Sequence, residues 1–552
     1  MRYLMLATRF AAACTATRLL AKCHGNVTTL PSLGGYLDSI SATVVNASNK
    51  FNFCNVTAQY AHPGSNDTIH VYLYLPMENW NGRFLATGGG GYRMKTNDSD
   101  MMVNVEKGYA AMTTDGGNWR TSKSSESWAL LGPGNINFEL LTNYAGAVLE
   151  DCTSIGKTIT TELYGKAPTF SYWNGCSTSG RQGLMLAQRF PKLYDGIMAA
   201  SPAVNWAKLM VAMYWPHFVM NQLGVYPTPC EFDAIKAAAL EACDALDGVK
   251  DGVISYPENC LFDPREVVGR PISCGNTSTV ISDEAATIAY KTWLGPQTSQ
   301  GSSLWYGLSL DTPLSEFVGD CSEQGCRGIP VFMASEWVRL WVKKGDPNFN
   351  ITNMTYADYE AIFRYSSEAY GPIISTDNPD LSSFREAGGK MITWHGMADP
   401  QTIPEGTTDY YERVLRLDPK APDFYRYFKA PGVWHCGGGP GPSPKTAFDA
   451  LVAWVEEGVI PDELPASITT ANIEKKTKLC PYPLVSVYKG GSSLQESSYP
   501  CLHDLLGFWW RHGDATLSYP PAQYFRSSSD EGYPPESPFC LRQAIVEVFP
   551  WH

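Results

Sequence analysis

Between residues 69 and 203 the chain alternates short β-rich runs with helical patterns, and this alternation limits the fold more than any other feature. "IHVYLYLP" (69–76), "GRFLATGGGG" (82–91) and "GYAAMTTDGG" (108–117) are β-rich runs. A helical pattern then spans roughly 137–165, "TFSYWNG" (169–175) reads as a strand, "QGLMLAQRF" (182–190) as a helix and "YDGIMAASPA" (194–203) as a buried strand. Strands that return through helices build a mostly parallel sheet covered on both faces, the α/β class.

From about 205 to 385 that rhythm is lost, and the stretch is rich in Trp, Tyr, Pro and Cys. It reads as an inserted domain. The α/β pattern resumes at "GGKMITWHGMADP" (388–400), with a helix near 404–417, a strand "FYRYFKA" (424–430) and a helix "AFDALVAWVEEG" (447–458). After Cys501 the tail is aromatic and proline-rich without clear periodicity.

The 552 residues, 44% hydrophobic and 12% aromatic, suit a folded chain and not a disordered one. A net charge of -13 argues against nucleic acid, whose phosphates need basic surface. Fifteen cysteines accompany eight Asn-x-Ser/Thr sites, at Asn26, Asn46, Asn55, Asn66, Asn97, Asn276, Asn350 and Asn353. Together they predict a disulfide-bonded, glycosylated protein, secreted and extracellular. Zinc is the competing use of cysteine, but no pair of CxxC elements occurs. The N-terminus supports secretion weakly: Arg9 and Arg18 interrupt its apolar run, which reads as a poor signal peptide, a transit-like segment or a misplaced start. No apolar run reaches the ~20 residues needed to span a bilayer, so no membrane is expected.

"GCSTSGRQG" (175–183) joins the strand at 169–175 to the following helix. Gly175-Cys176-Ser177 begins the Gly-x-Ser-x-Gly nucleophile elbow, and Ser179 stands where its last glycine belongs. Ser179 reads as a small residue on the first helical turn. The α/β-hydrolase order is nucleophile, acid, histidine. Asp399 follows a strand in "WHGMADP" and His435 lies in "GVWHCGGG", so Ser177, Asp399 and His435 fall in that order on the right kinds of element. In such a triad His takes the hydroxyl proton while Asp holds the imidazole tautomer. His395 is a rival whose place inside the strand suits packing better. Cys176 and Cys436 adjoin Ser177 and His435. A disulfide between them would hold their Cα atoms at ~4.4–6.8 Å and set the two side by side; the alternative is that each pairs elsewhere.

An ester hydrolase also needs donors for the tetrahedral oxyanion. The Thr178 N–H is one, and the "GGGG" run at 88–91, with Gly89 and Gly90 at its centre, reads either as the second or as a flexible turn. In the insertion, "CDALDGVKDGVI" (243–254) sets Asp244, Asp247 and Asp251 around two glycines. Three carboxylates so close suit Ca²⁺ or a solvated acidic turn, with Cys243 and Cys260 placed to staple the loop.

These residues resemble the tannase and feruloyl esterase family of secreted serine esterases, over roughly residues 23–501. The family's pattern joins Cys-Ser, Asp and His-Cys, matched here by Cys176-Ser177, Asp399 and His435-Cys436. The resemblance implies an α/β-hydrolase fold with a large inserted lid domain: residues 23–204 and 386–501 catalytic, 205–385 the lid, 1–22 a leader and 502–552 an irregular tail. It implies a disulfide between Cys176 and Cys436, and others at Cys243–Cys260, Cys480–Cys501 and Cys23–Cys54, with Cys230–Cys274 and Cys321–Cys326 as further candidates; Cys14, Cys152 and Cys540 stay unassigned. It also implies a calcium loop in the lid, with Asp244, Asp247 and Asp251 as carboxylate ligands and Val249 and Val253 as carbonyl ligands, holding a structural Ca²⁺. Ser179 departs from the family's glycine.

The expected activity is hydrolysis of phenolic acid esters, free or polysaccharide-linked, through an acyl-enzyme. Feruloyl esterase is favoured over tannase, with an esterase of secondary metabolism also fitting, and a catalytically inactive binding glycoprotein as the contrasting class. The lid aromatics in "MVAMYWPHF" and "MASEWVRLW" either bind the acyl ring or form the lid's own core.

Overall fold

Nine strands lie in one sheet: β1 (Tyr36–Ala47), β2 (Phe51–Ala61), β3 (Ile69–Pro76), β4 (Arg83–Ala86), β5 (Ala110–Thr114), β6 (Phe170–Cys176), β7 (Gly196–Ala200), β8 (Lys390–Gly396) and β9 (Tyr425–Ala430). Their order is β1-β2-β3-β5-β4-β6-β7-β8-β9. Pairings from β1 through β5 across β3 are antiparallel, and every pairing from β5 to β9 is parallel. This is an α/β-hydrolase sheet. The computed structural model describes residues 36–47, 51–118, 123–322, 325–470 and 472–503, all within one compact unit, Met1–Gly513. The leader 1–22, Cys14, Cys23, Asn26, Cys540 and nearly all of the tail lie outside the described residues, and with Cys23 the expected Cys23–Cys54 bridge.

Helices α1 (Val148–Tyr164) and α2 (Thr178–Arg189) cover one face, and α4 (Ala447–Glu457) covers the other, while α3 (Pro404–Leu417) links β8 to β9. Strand alternation sorts the faces: Trp173 enters the core with α1 and α2, whereas its neighbour Tyr172 packs with Leu451 and Trp454 of α4. The helical pattern at 137–165 is not one helix. It divides into Phe138–Thr142, a π-helical Asn143–Ala147 and α1. Gly146 sits at the break, where a Cβ would come within 2.6 Å of Met185.

The ribbon β1–β2 was not expected. Its sequence is polar and carries two sequons, which obscures the alternation. Cys54, Val56, Ala58 and Tyr60 nevertheless point into the core, as period-2 burial requires.

Strands β7 and β8 are neighbours, so residues 206–386 leave the sheet and return to it. They form helices at Trp206–Ala212, Trp215–Leu223, Pro229–Cys243, Asp283–Leu294 and Tyr356–Ile374, with two short ribbons. Three tryptophans of this inserted segment are core: Trp215, Trp337 and Trp341 are at most 2% exposed. Trp337 and Trp341 pack against Trp206 and Trp128. None of these three is open to bind a ring.

Among the described residues there are five disulfides: Cys176–Cys436, Cys230–Cys274, Cys243–Cys260, Cys321–Cys326 and Cys480–Cys501. Cys152 is a buried thiol beside Thr114 and Tyr60, pushed up to about 12 by burial. No helix among the described residues is long and apolar enough to cross a membrane.

Candidate active site

Strand β6 ends at Cys176 and α2 starts at Thr178, leaving Ser177 alone in the turn. Its φ of 64° and ψ of -125° are held at a cost on the order of 1–3 kcal/mol. Such a turn lifts the serine clear of the sheet. Two contacts with Ala200 at the end of β7 fix it. The Ser177 N–H donates to the Ala200 carbonyl at 3.1 Å, and a Cβ on Gly180 would lie 2.4 Å from that same oxygen. Gly180 therefore provides the close helix–strand approach, and position 179 is free for another use.

His435 lies in the loop after β9. The Cys176–Cys436 bridge sets their Cα atoms 6.0 Å apart across 260 residues of sequence, so Ser177 and His435 each adjoin one end of it. Asp399 lies just past β8, with no side-chain exposure, and its Oδ2 is 2.7 Å from His435 Nδ1. An ionised carboxylate only accepts, so Nδ1 carries the proton and Nε2 is left to accept one.

The structure also brings up partners absent from the sequence reading. Oδ1 of Asp399 accepts from the N–H groups of Gln401 and Thr402 at 2.7 and 2.9 Å. Oδ2 accepts from the Thr402 hydroxyl at 2.6 Å and faces His395 Nε2 at 3.3 Å. His395 is thus more than packing. Burial alone would raise the Asp399 pKa, but the charge of His435 and the hydrogen bonds from both histidines outweigh it and hold the carboxyl well below its usual range. A histidine inside a strand gives no sequence signal for such a role, and Thr402 gives none at all.

The glycine loop at 88–91 packs against this elbow. The Thr178 hydroxyl and the Tyr144 phenol both donate to the Gly91 carbonyl at 2.7 Å, and the Gly88 N–H donates to Ser179 Oγ at 2.8 Å. A Cβ on Gly89 would meet the Arg93 carbonyl oxygen at 2.3 Å, whereas one on Gly90 would meet nothing. The loop is therefore a held segment, set beside the residue that follows Ser177. The exposed aromatic Phe332 of the inserted segment lies next to it, its ring 3.5 Å from where a Cβ on Gly91 would sit.

At the acidic loop, Asp244 accepts from the N–H groups of Asp251 and Gly252 at 3.0 Å each. Asp247 accepts from the Val249 N–H at 3.0 Å and the Ser255 hydroxyl at 2.8 Å. Asp251 pairs with Lys475 through Oδ2, and its Oδ1 is buried with no hydrogen-bond partner. Burial pushes the Asp247 carboxyl up, and the nearby charge of Asp251 adds to it. Among the described residues no three acidic, histidine or cysteine groups are placed so that they could hold a metal ion. The donor chemistry alone suits a hard cation, because the orphaned Oδ1 of Asp251 near the Asp247 carboxylate is the kind of group that oxygen-liganded Ca²⁺ satisfies.

Comparison with known proteins places these features in context. Residues 54–502 match the family "Tannase and feruloyl esterase". The chain is 38% identical over 461 residues to a "Probable feruloyl esterase" of Arthroderma benhamiae, covering 82% of this chain and 86% of that one. It is 27% identical over 512 residues to a "Tannase" of Aspergillus oryzae, covering 82% and 85%. Among solved structures, the tannin acyl hydrolase from Aspergillus niger superposes with a TM-score of 0.81 at 27% identity, covering 92% of this chain and 98% of that one.

Proposed function

Since the chain belongs to the tannase and feruloyl esterase family and is a carboxylic ester hydrolase, we propose that it is a secreted serine esterase that cleaves phenolic acid esters through Ser177, His435 and Asp399. The observation that carries this reading is the 2.7 Å contact of His435 with Asp399, on a loop tied by a disulfide to the residue before Ser177. Ser177 Oγ attacks the acyl carbon as His435 Nε2 takes its proton. Negative charge gathers on the carbonyl oxygen, opposite the N–H groups of Thr178 and of Gly89 or Gly90. Collapse of the tetrahedral species expels the alcohol, which receives the proton from His435. Water activated by the same imidazole then frees the aromatic acid.

Hydroxycinnamate esters are the favoured substrates, in keeping with the 38% identical relative. Galloyl esters are the second reading, favoured by the likeness to the tannin acyl hydrolase at a TM-score of 0.81. Phe332 is the lid residue suited to meet the acyl ring. Secretion is supported by the five disulfides and by the exposed sequon residues Asn46, Asn66, Asn97, Asn276, Asn350 and Asn353. Asp244, Asp247 and Asp251, with the carbonyls of Val249 and Val253, would hold a Ca²⁺ that braces the lid and takes no part in the reaction.

The test is hydrolysis of methyl ferulate and methyl gallate by the protein and by Ser177→Ala. The variant is expected to lose turnover of both, and the ratio of the two rates in the unsubstituted protein separates the substrate readings. Retained hydrolysis by Ser177→Ala would defeat the assignment.

A further inference from the structure

We infer that Ser179 is a positioning residue that holds the glycine loop at 88–91 at the distance from the nucleophile that oxyanion binding requires. The inference rests on the serine-esterase reading above. Its starting point is a hydroxyl in a place built for it. Ser179 is 2% exposed, and its Oγ accepts the Gly88 N–H at 2.8 Å. Two glycines make the slot: a Cβ on Gly175 would fall 2.1 Å from that oxygen, and one on Gly88 would fall 2.9 Å from it and 2.0 Å from Gln182 Oε1. Any side chain at 88 or 175 would displace the hydroxyl.

The contact is one of a short series between the elbow helix and the loop. Thr178, the next residue back on α2, donates its hydroxyl to the Gly91 carbonyl at 2.7 Å, where Tyr144 donates as well. The first and last residues of the loop are thus each tied to one of the first two residues of α2, with Gly89 and Gly90 between the ties. An oxyanion hole made of one N–H on α2 and one on this loop works only if the two hold a fixed separation. Thr178 fixes one end of that separation and Ser179 the other. Without Oγ, the Gly88 N–H becomes a donor without its partner beneath the loop, and the loop shifts or takes in water to satisfy it.

The experiment compares Ser179→Ala and Ser179→Gly with the unsubstituted protein. On methyl ferulate and methyl gallate, kcat is expected to fall by about 10–100-fold with KM nearly unchanged. The rate at which a fluorophosphonate labels Ser177 should fall in step, because phosphonylation charges an oxygen in the same position. The affinity ratio of phenylboronic acid to ferulic acid should fall too, since only the boronate forms a tetrahedral adduct. Unchanged kcat and labelling in both variants would overturn the inference. So would a loss of kcat that tracks a fall in Tm with the boronate-to-ferulate ratio preserved, because Ser179 would then serve stability alone. Should Ser179→Ala fold poorly, Ser179→Gly reads the same quantities with no side chain to misplace. Failure of the unsubstituted protein to hydrolyse either ester or to be labelled would instead strike the serine-esterase reading.

Discussion

Nε2 of His395 lies 3.3 Å from Oδ2 of Asp399, and neither side chain has any exposure. The carbonyl and hydroxyl oxygens of Thr402 are 3.2 and 3.1 Å from the same nitrogen. The Thr402 hydroxyl gives its own proton to Asp399, so all three neighbours accept and Nε2 must carry the hydrogen. Nδ1 faces the Thr407 hydroxyl of α3 at 2.9 Å. His395 thereby shares the charge of Asp399 with His435.

Replacing His395 by Phe keeps a ring and removes the donor. Asp399 then loses one of the hydrogen bonds that hold its Oδ2 against His435, and kcat on methyl ferulate is expected to fall by about tenfold. His395→Gln, which retains a donor, should recover part of the rate. An unchanged kcat in the folded Phe variant would reduce His395 to packing.

The Asp399–His435 contact and the bridge beside Ser177 were legible because three weak signals shared one order, and because a cysteine adjoined each of two of them. The sheet from β3 onward was legible through short β-rich runs alternating with helical patterns. Ser179 was visible as an oddity, but its partner Gly88 lies 91 residues earlier, and a contact between a hydroxyl and a distant N–H leaves no local pattern. The π segment at Asn143–Ala147 was hidden for a related reason: helical periodicity continues through it, and the break shows only in the folded backbone at Gly146, where Met185 packs close. The inserted segment's tryptophans read in sequence as core more readily than as pocket, one by one, but aromatic content carries no direction to say which.

The Cys176–Cys436 bridge closes a loop of 260 residues, for which chain entropy alone gives about 5.5 kcal/mol. Replacing both cysteines by Ala should lower Tm and also depress kcat on methyl ferulate well below the unsubstituted value at temperatures where the variant is still folded. The second effect is the informative one, since it reports Ser177 and His435 drifting apart. Full activity in a folded double variant would show that the remaining packing positions the triad.

Phe332 is 43% exposed beside the glycine loop. A ring held half out of water covers a substrate ring for about 1 kcal/mol, so Phe332→Ala is expected to raise KM for methyl ferulate by ~5-fold with kcat little changed. Steady-state kinetics checks this, and an unaltered KM would move the acyl site elsewhere on the lid.

If the acidic loop holds Ca²⁺, the ion stabilises the folded state by about 2.7 kcal/mol at a hundredfold excess over Kd. Chelation by EDTA should lower Tm in calorimetry, and added Ca²⁺ should restore it. In Asp247→Ala neither addition should matter. A Tm indifferent to EDTA in the unsubstituted protein would leave Lys475 as the cation that serves Asp251.

His62 links the turn before β3 to α1, with Nδ1 2.6 Å from Asp67 and Nε2 3.0 Å from Asp151. The hydrogen bond to Asp151 outweighs burial, and with Asp67 it lifts the imidazole to about 9. The folded pKa lies above the unfolded value near 6.5, so the folded state binds the extra proton. Its stabilisation is fully present below pH ~6.5, while both carboxylates stay ionised, and is lost as pH rises through about 9. Allowing for solvent screening of a partly exposed ring, about 1 kcal/mol is at stake. His62→Gln should therefore lower Tm at pH 5.5 and converge with the unsubstituted protein near pH 10. Equal Tm offsets at both pH values would show that the ring contributes by packing and not by charge.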